Sequence, residues 1–247
     1  MTVSEPRLAG LRARIAQIEG KAARIHPVLP FGVPQLDQRL PGGGLVRGAL
    51  HEVAGGADGT VDAAAAACFA AGIAARLSGQ VLWCMTQADV FAPGLEQVGL
   101  PPDRVIYIEA GDDQGVLASM EEGLRHGGVA AVVGEVAQLT MTASRRLHLA
   151  AKGTGAMGIA IRRWRRQRDA SDFGLPTASM TRWRISVLPS APLPVPGVGR
   201  SRWLIELIRA RAGECLDIEL DACDRSGHLG LPAGARGAAD ARHQGFG

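Results

Sequence analysis

The sequence predicts an α/β fold: a doubly wound, mainly parallel sheet flanked by helices, with an N-terminal helix and antiparallel strands near the C-terminus. Two observations carry this. Short apolar, strand-like runs alternate with helical patterns from Ala49 to Ile161, the signature of parallel strands joined by crossover helices. The chain is also 47% hydrophobic but only 4% aromatic and holds 33 glycines, so its helices are expected to pack closely on the sheet through small side chains.

Each element follows from its local pattern. Ser4 to Gly20 reads as an amphipathic helix, with Leu8, Leu11, Ile15 and Ile18 at helical spacing. Ile25 to Gly48, rich in Pro and Gly, is a loop-dominated lead-in. Ala49 to Ala54 is the first regular strand, followed by the loop Gly55-Gly56-Ala57-Asp58-Gly59-Thr60 and an Ala-rich helix over Val61 to Leu77. Strands are expected at Gln80 to Met85, Arg104 to Glu109, Val129 to Val133 and Ala156 to Ile161. Helices are expected at Ala92 to Gly99, Asp112 to His126 with an Asp cap, and Thr142 to Lys152. Beyond Arg162 the pattern changes. Thr181 to Leu188 and Arg202 to Ala210 alternate apolar and polar residues as strands do, the Pro-rich Pro189 to Gly199 links them, and Cys215 to Asp221 adds one more strand. The domain reading is an arm at 1–24, an α/β domain at 25–222 and a flexible tail at 223–247.

Composition excludes several classes. The four cysteines form no C-x-x-C pair, so neither a disulfide framework nor a zinc site is indicated. The histidines have no ligand spacing, and no carboxylate pair or Ser-His-Asp order stands out; catalytic residues, metal and cofactor are all expected to be absent. No apolar run is long enough for a signal peptide or a membrane helix, which points to the cytoplasm and to no membrane partner. A net charge of +3 is mild, but only Lys21 and Lys152 among the 27 basic residues are lysines, so clustering of arginines carries the information.

The strand, glycine loop and helix over Ala49 to Leu77 form the unit that wraps a phosphate with backbone N–H groups at a helix N-terminus. Gly55, Gly56, Asp58, Gly59 and Thr60 supply the backbone part, yet no lysine occurs between Lys21 and Lys152. Asp58 and Asp62 place carboxylates where polyphosphate would lie; each would repel a phosphate charge by about 4 kcal/mol at roughly 4 Å and an effective dielectric of about 20. Tight ATP binding is disfavoured.

Four motifs in order, Phe31 to Asp37, Pro41-Gly42-Gly43-Gly44-Leu45, Gly48 to Val53 and Thr181-Arg182-Trp183-Arg184, resemble the ImuA family, the RecA-like component of a damage-inducible mutagenesis cassette. The resemblance spans about Pro27 to Leu231 and implies a RecA-like fold. It also implies the partners of that family: ImuB, an inactive Y-family polymerase relative, an error-prone C-family polymerase, and RecA. Against RecA itself the chemistry departs. Gly59 and Thr60 stand where RecA has its phosphate-loop lysine and threonine, Gln87 where it has its catalytic glutamate, and Gly134 and Glu135 where its magnesium-binding aspartate would end a strand. Gln87 and Glu135 are remnants on this reading, and hydrolysis is expected to be negligible.

The densest charge cluster is Arg162-Arg163-Trp164-Arg165-Arg166-Gln167-Arg168. Such a segment can grip phosphates and stack on a base, or it can be a solvated surface that docks an acidic protein. Arg182 and Arg184 extend it, because alternation puts Trp183, Ile185 and Val187 on one face of the strand and the arginines on the other. Trp183 reads as core. His51 and Glu52, on opposite faces of one strand, read as structural. The leading functional expectation is a noncatalytic adaptor in translesion DNA synthesis. Its alternatives are an atypical ATPase using Glu135 and a DNA-binding module using Arg162 to Arg168.

Overall fold

The computed structural model describes residues 27–57, 59–164 and 173–232. The expected N-terminal helix lies outside them. Among the described residues ten strands and five α-helices follow in order: β1 (Val28–Leu29), α1 (Pro34–Asp37), β2 (Leu45–Val46), β3 (Leu50–Gly55), α2 (Gly59–Ala75), β4 (Val81–Met85), α3 (Ala92–Gln97), β5 (Val105–Glu109), α4 (Asp113–His126), β6 (Ala131–Val136), α5 (Met141–Thr154), β7 (Met157–Arg162), β8 (Thr181–Leu188), β9 (Arg202–Ala210) and β10 (Leu216–Asp221).

Eight strands form one sheet in the order β10-β9-β8-β3-β7-β6-β4-β5. Neighbours from β8 to β5 pair in parallel, while β8–β9 and β9–β10 pair antiparallel. The expected architecture is therefore observed, including the antiparallel C-terminal strands. Leaving β3, the chain skips over two strand positions to β4, returns through β6 and β7, and then crosses to β8. The C-terminal ends of the central strands thus face a topological switch, the place where open α/β sheets bind ligands.

Two cores sandwich the sheet. On one face α2 covers Val53, Trp83, Val133, Ile159, Trp183 and Ile205; on the other α4 and α5 cover Leu50, Leu82, Val132 and Ala160. Alanines let α2 lie close: Ala65, Ala66, Ala70 and Ala74 are buried, and Phe69 is inserted among them. Phe69 stacks on Phe31 at 5.8 Å and meets Trp203 edge-on at 6.4 Å, while Phe31 meets Trp183 edge-on at 5.5 Å. This cluster fastens the lead-in loop to the domain, and such ring pairs contribute about 0.5–1.5 kcal/mol each beyond the area they bury. Trp183 is core, as its alternation indicates.

Helix ends follow the local chemistry. Asp112 accepts the Gly115 N–H at 2.7 Å to start α4, and Thr140 accepts the Ala143 N–H at 3.2 Å to start α5. Both helices stop at a glycine in the left-handed region, Gly127 and Gly155. The tail bounded at residue 223 is corrected for residues 223–232. Cys223 and Leu229 are buried against the α2 side of the sheet, and Asp221 and Gly230 exchange backbone hydrogen bonds of 2.8 and 3.1 Å. Small and polar composition concealed this packing. No helix among the described residues is long and apolar enough to cross a membrane.

Candidate functional site

The glycine loop after β3 sits where a RecA-type phosphate site would be, and its own chain fills it. The Gly56 N–H donates to the Ile185 carbonyl oxygen at 2.9 Å rather than facing outward. Asp62, in the first turn of α2, is buried, and its Oδ1 accepts the Val187 N–H at 2.7 Å. A Cβ on Gly56 would stand 2.1 Å from Ser186 Oγ and 2.6 Å from Asp62 Oδ2, so both side chains lie directly over the loop. A carboxylate at a helix N-terminus takes the favourable place of an anion. With that place taken by Asp62 and with no lysine nearby, the described residues of the loop do not fit a triphosphate.

The remaining RecA-type positions are equally occupied. Glu135, at the end of β6, is 4% exposed, accepts the Trp83 indole N–H at 2.8 Å and receives Arg163 at 2.5 Å. Arg163 also makes a two-pronged pair with Asp89, at 2.7 Å to each carboxylate oxygen. That pairing, led by the hydrogen bond to Asp89, raises the Arg163 pKa above its usual range, and the same hydrogen bond lowers the Asp89 carboxyl. Gln87 is exposed on the loop after β4. At Gly134 a Cβ would meet Met120 Sδ at 2.1 Å, because α4 crosses directly over it; an aspartate has no room there unless Met120 moves. Among the described residues no group of three or more His, Cys, Asp or Glu could hold a metal ion.

The arginines expected on the surface divide. Arg162 and Arg182 are corrected: both are buried and both bind Glu52, a fully buried carboxylate in the middle of β3. Arg162 Nη1 donates to Glu52 Oε1 at 2.8 Å, and Arg182 Nε to Oε2 at 3.0 Å. Thr177 and Ser179 add hydroxyl donors to the same oxygen at 2.9 and 3.1 Å. The reason is coverage. Residues 173–180 fold over the face of β3 and β8 that alternation alone would leave to solvent, and the Arg182 guanidinium lies 5.2 Å from the Phe173 ring centre. Trp164 and Phe173 meet edge-on at 5.3 Å, which brings the two flanks of residues 165–172 together. Arg163 and Arg184 remain partly exposed, paired with Asp89 and Glu206. Arg165, Arg166 and Arg168 lie outside the described residues, as does Asp58.

Glu52 is structural, as its sequence context indicates; what sequence reasoning missed is its pair of buried arginine partners. Strand β3 is central and both its faces are covered, so a charge within it requires a buried partner. His51, on the opposite face, is likewise buried. It bonds Thr181 Oγ1 at 2.7 Å and the Val46 carbonyl oxygen at 2.9 Å, and burial lowers its pKa to about 4.

Comparison with known proteins places the chain. Protein ImuA of Caulobacter vibrioides (strain NA1000 / CB15N) is 41% identical to it over 197 residues, covering 76% of this chain and 80% of the relative. The chain belongs to the ImuA family. Protein ImuA of the C. vibrioides strain ATCC 19089 / CIP 103742 / CB 15 matches with the same identity and coverage. A family model described as cell division inhibitor SulA matches residues 73–158, from the end of α2 into β7. Among solved structures, the RadB recombinase superposes with a TM-score of 0.56 at 18% identity, covering 83% of this chain and 99% of RadB. The ImuA fold is thus RecA-like, as the motif order implies.

Proposed function

We propose that this ImuA-family chain is a noncatalytic accessory protein of SOS-induced translesion DNA synthesis and damage-induced mutagenesis. It acts in the cytoplasm as an adaptor for an inactive Y-family polymerase relative of the ImuB type and for an error-prone C-family polymerase, with RecA as a further partner. Family membership supports the cassette. The observation that carries the noncatalytic part is the Asp62 carboxylate, which lies over the glycine loop and is bonded to Val187. A RecA-like domain in this state keeps its surfaces and gives up the phosphate contacts on which phosphoryl transfer depends.

The test uses the purified full-length chain. Titration calorimetry with ATP and magnesium is expected to show no binding, turnover to stay at background, and an affinity column bearing the polymerase relative to retain the chain. ATP turnover that disappears on Glu135→Ala would establish an enzyme instead. Loss of all retention on the column would count against the adaptor.

A further inference from the structure

The large sheet ends in two edges of different character. At one edge β10 carries a carboxylate at every second position, Asp217, Glu219 and Asp221, and Asp221 bridges to Gly230. Charges so placed, with a covering segment, are common guards against the addition of a further strand. At the other edge β5 reads Val105-Ile106-Tyr107-Ile108-Glu109, with no charge before its last residue. Ile106 and Tyr107 are 50% and 39% exposed, on opposite faces of the strand.

The backbone of β5 is only half used. The Ala110 N–H donates to the Met85 carbonyl oxygen at 2.8 Å, and successive residues of a strand direct their N–H and C=O groups to opposite sides. Ile106 and Ile108 therefore bond to β4, in register with Leu82 and Cys84, while Val105, Tyr107 and Glu109 direct their groups away from the sheet. Of these outward groups, the Val105 N–H closes the preceding turn on the Pro102 carbonyl oxygen. The Val105 carbonyl and both backbone groups of Tyr107 and Glu109 have no partner among the described residues. They form a ladder that an extended segment can complete.

Charge selects the occupant. From Glu96 to Asp113 the charged side chains are Glu96, Asp103, Arg104, Glu109, Asp112 and Asp113. The one cation is turned away, because the Arg104 guanidinium donates to the carbonyl oxygens of Ala75 and Gly79 at 2.8 and 3.0 Å and closes the end of α2. Asp103 and Glu109 are both exposed and stand at the two ends of the open strand, about 20 Å apart at roughly 3.3 Å per residue. An antiparallel β5 from a second copy would bring these like charges together across the new ladder, which is unfavourable. A strand with a cation at each end would meet a carboxylate at each end. We infer that β5 is a strand-addition site for an extended segment of a partner protein, apolar in its middle and carrying arginine or lysine at both ends. Main-chain hydrogen bonds to Tyr107 and Glu109 supply affinity, and Asp103 and Glu109 supply selectivity. The inference goes beyond the adaptor reading and does not depend on which polymerase is bound.

The experiment follows amide hydrogen exchange of the full-length chain by NMR, with a synthetic peptide of about seven residues as the probe: arginine at both ends and alternating threonine and valine between. In the free chain the Ile106 and Ile108 amides, bonded to β4, should be protected, and those of Tyr107 and Glu109 should exchange freely. Peptide should slow exchange at Tyr107 and Glu109 by about tenfold or more, and its binding should weaken as salt is raised. The same peptide with glutamate ends should bind at least about tenfold more weakly, and one N-methylated on its edge-facing amides should not bind. Glu109→Lys alters an exposed side chain, so the fold is kept while the preference between the two peptides is reduced or reversed. Tyr107→Pro removes the central outward N–H, leaves the bonds to β4 in place and should abolish binding of the arginine-ended peptide. Protection of Tyr107 and Glu109 in the free chain would show the edge already covered, by the chain itself or by a second copy, and would overturn the site. No binding, or equal binding of the two peptides, would overturn it as well. Neither result bears on retention by the polymerase relative, so the adaptor reading is decided separately.

Discussion

The carboxylate of Asp62 in the first turn of α2 accepts the backbone N–H of Val187 near the end of β8, at 2.7 Å. One side chain thus joins the helix that follows the glycine loop to the neighbouring parallel strand, and it does so while buried. Removing it leaves a strand N–H without that acceptor, so Asp62→Ala should cost about 1–3 kcal/mol. Urea denaturation of parent and variant measures this. ATP affinity should not appear in the variant, because the lysine is still missing; a calorimetric signal for ATP there would show that Asp62 alone blocks the site.

Glu52 and its two arginines form a tighter unit. Arg162 and Arg182 approach opposite oxygens of one carboxylate, all fully or almost fully buried. Replacing Glu52 by Leu strands two buried cations and is expected to cost about 3–5 kcal/mol. Restoring neutrality with Arg162→Met and Arg182→Met in the same chain should recover much of that loss, since a buried ion cluster can be matched by apolar packing of similar volume. Denaturant midpoints of the single and triple variants decide it: a triple variant no more stable than Glu52→Leu would mean that the hydrogen bonds to Thr177 and Ser179, not the charge balance, dominate.

These two clusters show what the sequence could and could not disclose. Element order was readable because helix and strand periods are local: Thr181–Leu188 and Arg202–Ala210 have the expected bounds, and Trp183 is core. The missing lysine was readable for the same reason. The partners of Glu52 were not, because Arg162 and Arg182 lie 110 and 130 positions away along the chain. Arg182 was misplaced because alternation along β8 separates two faces without showing that residues 173–180 cover one of them. Strand order would have helped: a charge in a central strand has no route to solvent.

His51 makes stability depend on pH. Burial, opposed by its hydrogen bond to the Val46 carbonyl and aided by nearby His148, lowers its pKa from 6.5 to about 4. Between these values the unfolded chain binds a proton that the folded chain refuses. Stability from this site is therefore full above pH 6.5 and is lost as pH falls toward 4, by about 3 kcal/mol in all. Unfolding free energies measured across that range should fall steeply for the parent and less steeply for His51→Gln. Parallel curves would remove His51 as the cause.

Gly72 marks where the segment after β10 docks on α2. A Cβ there would stand 2.5 Å from Cys223 Sγ, and a Cβ on Gly227, on the same segment, would stand as close to the Gly72 carbonyl oxygen. Gly72→Ala should improve helix propensity but force the segment outward, for a net loss of about 1–3 kcal/mol. Faster hydrogen exchange confined to residues 222–231 would report the release. Adding Cys223→Gly should relieve the clash, and if the double variant regains nothing the contact is not the cause.

Glu135 is the residue over which an adaptor and an atypical ATPase differ most directly. Its two oxygens are divided between the Trp83 indole N–H and Arg163, and Arg163 in turn is held by Asp89. Glu135→Gln keeps an acceptor for Trp83 and loses only the partly exposed ion pair, so its cost should be small, about 0–1 kcal/mol. Glu135→Ala leaves the indole N–H buried without its partner and should cost about 1–3 kcal/mol more. Trp83 is fully buried beside this carboxylate, so its fluorescence should shift with Ala and change little with Gln. A structural carboxylate predicts this ordering in stability with no change in nucleotide turnover, whereas a metal-holding one predicts that both substitutions abolish turnover equally. Measuring both quantities on the same two variants separates the roles.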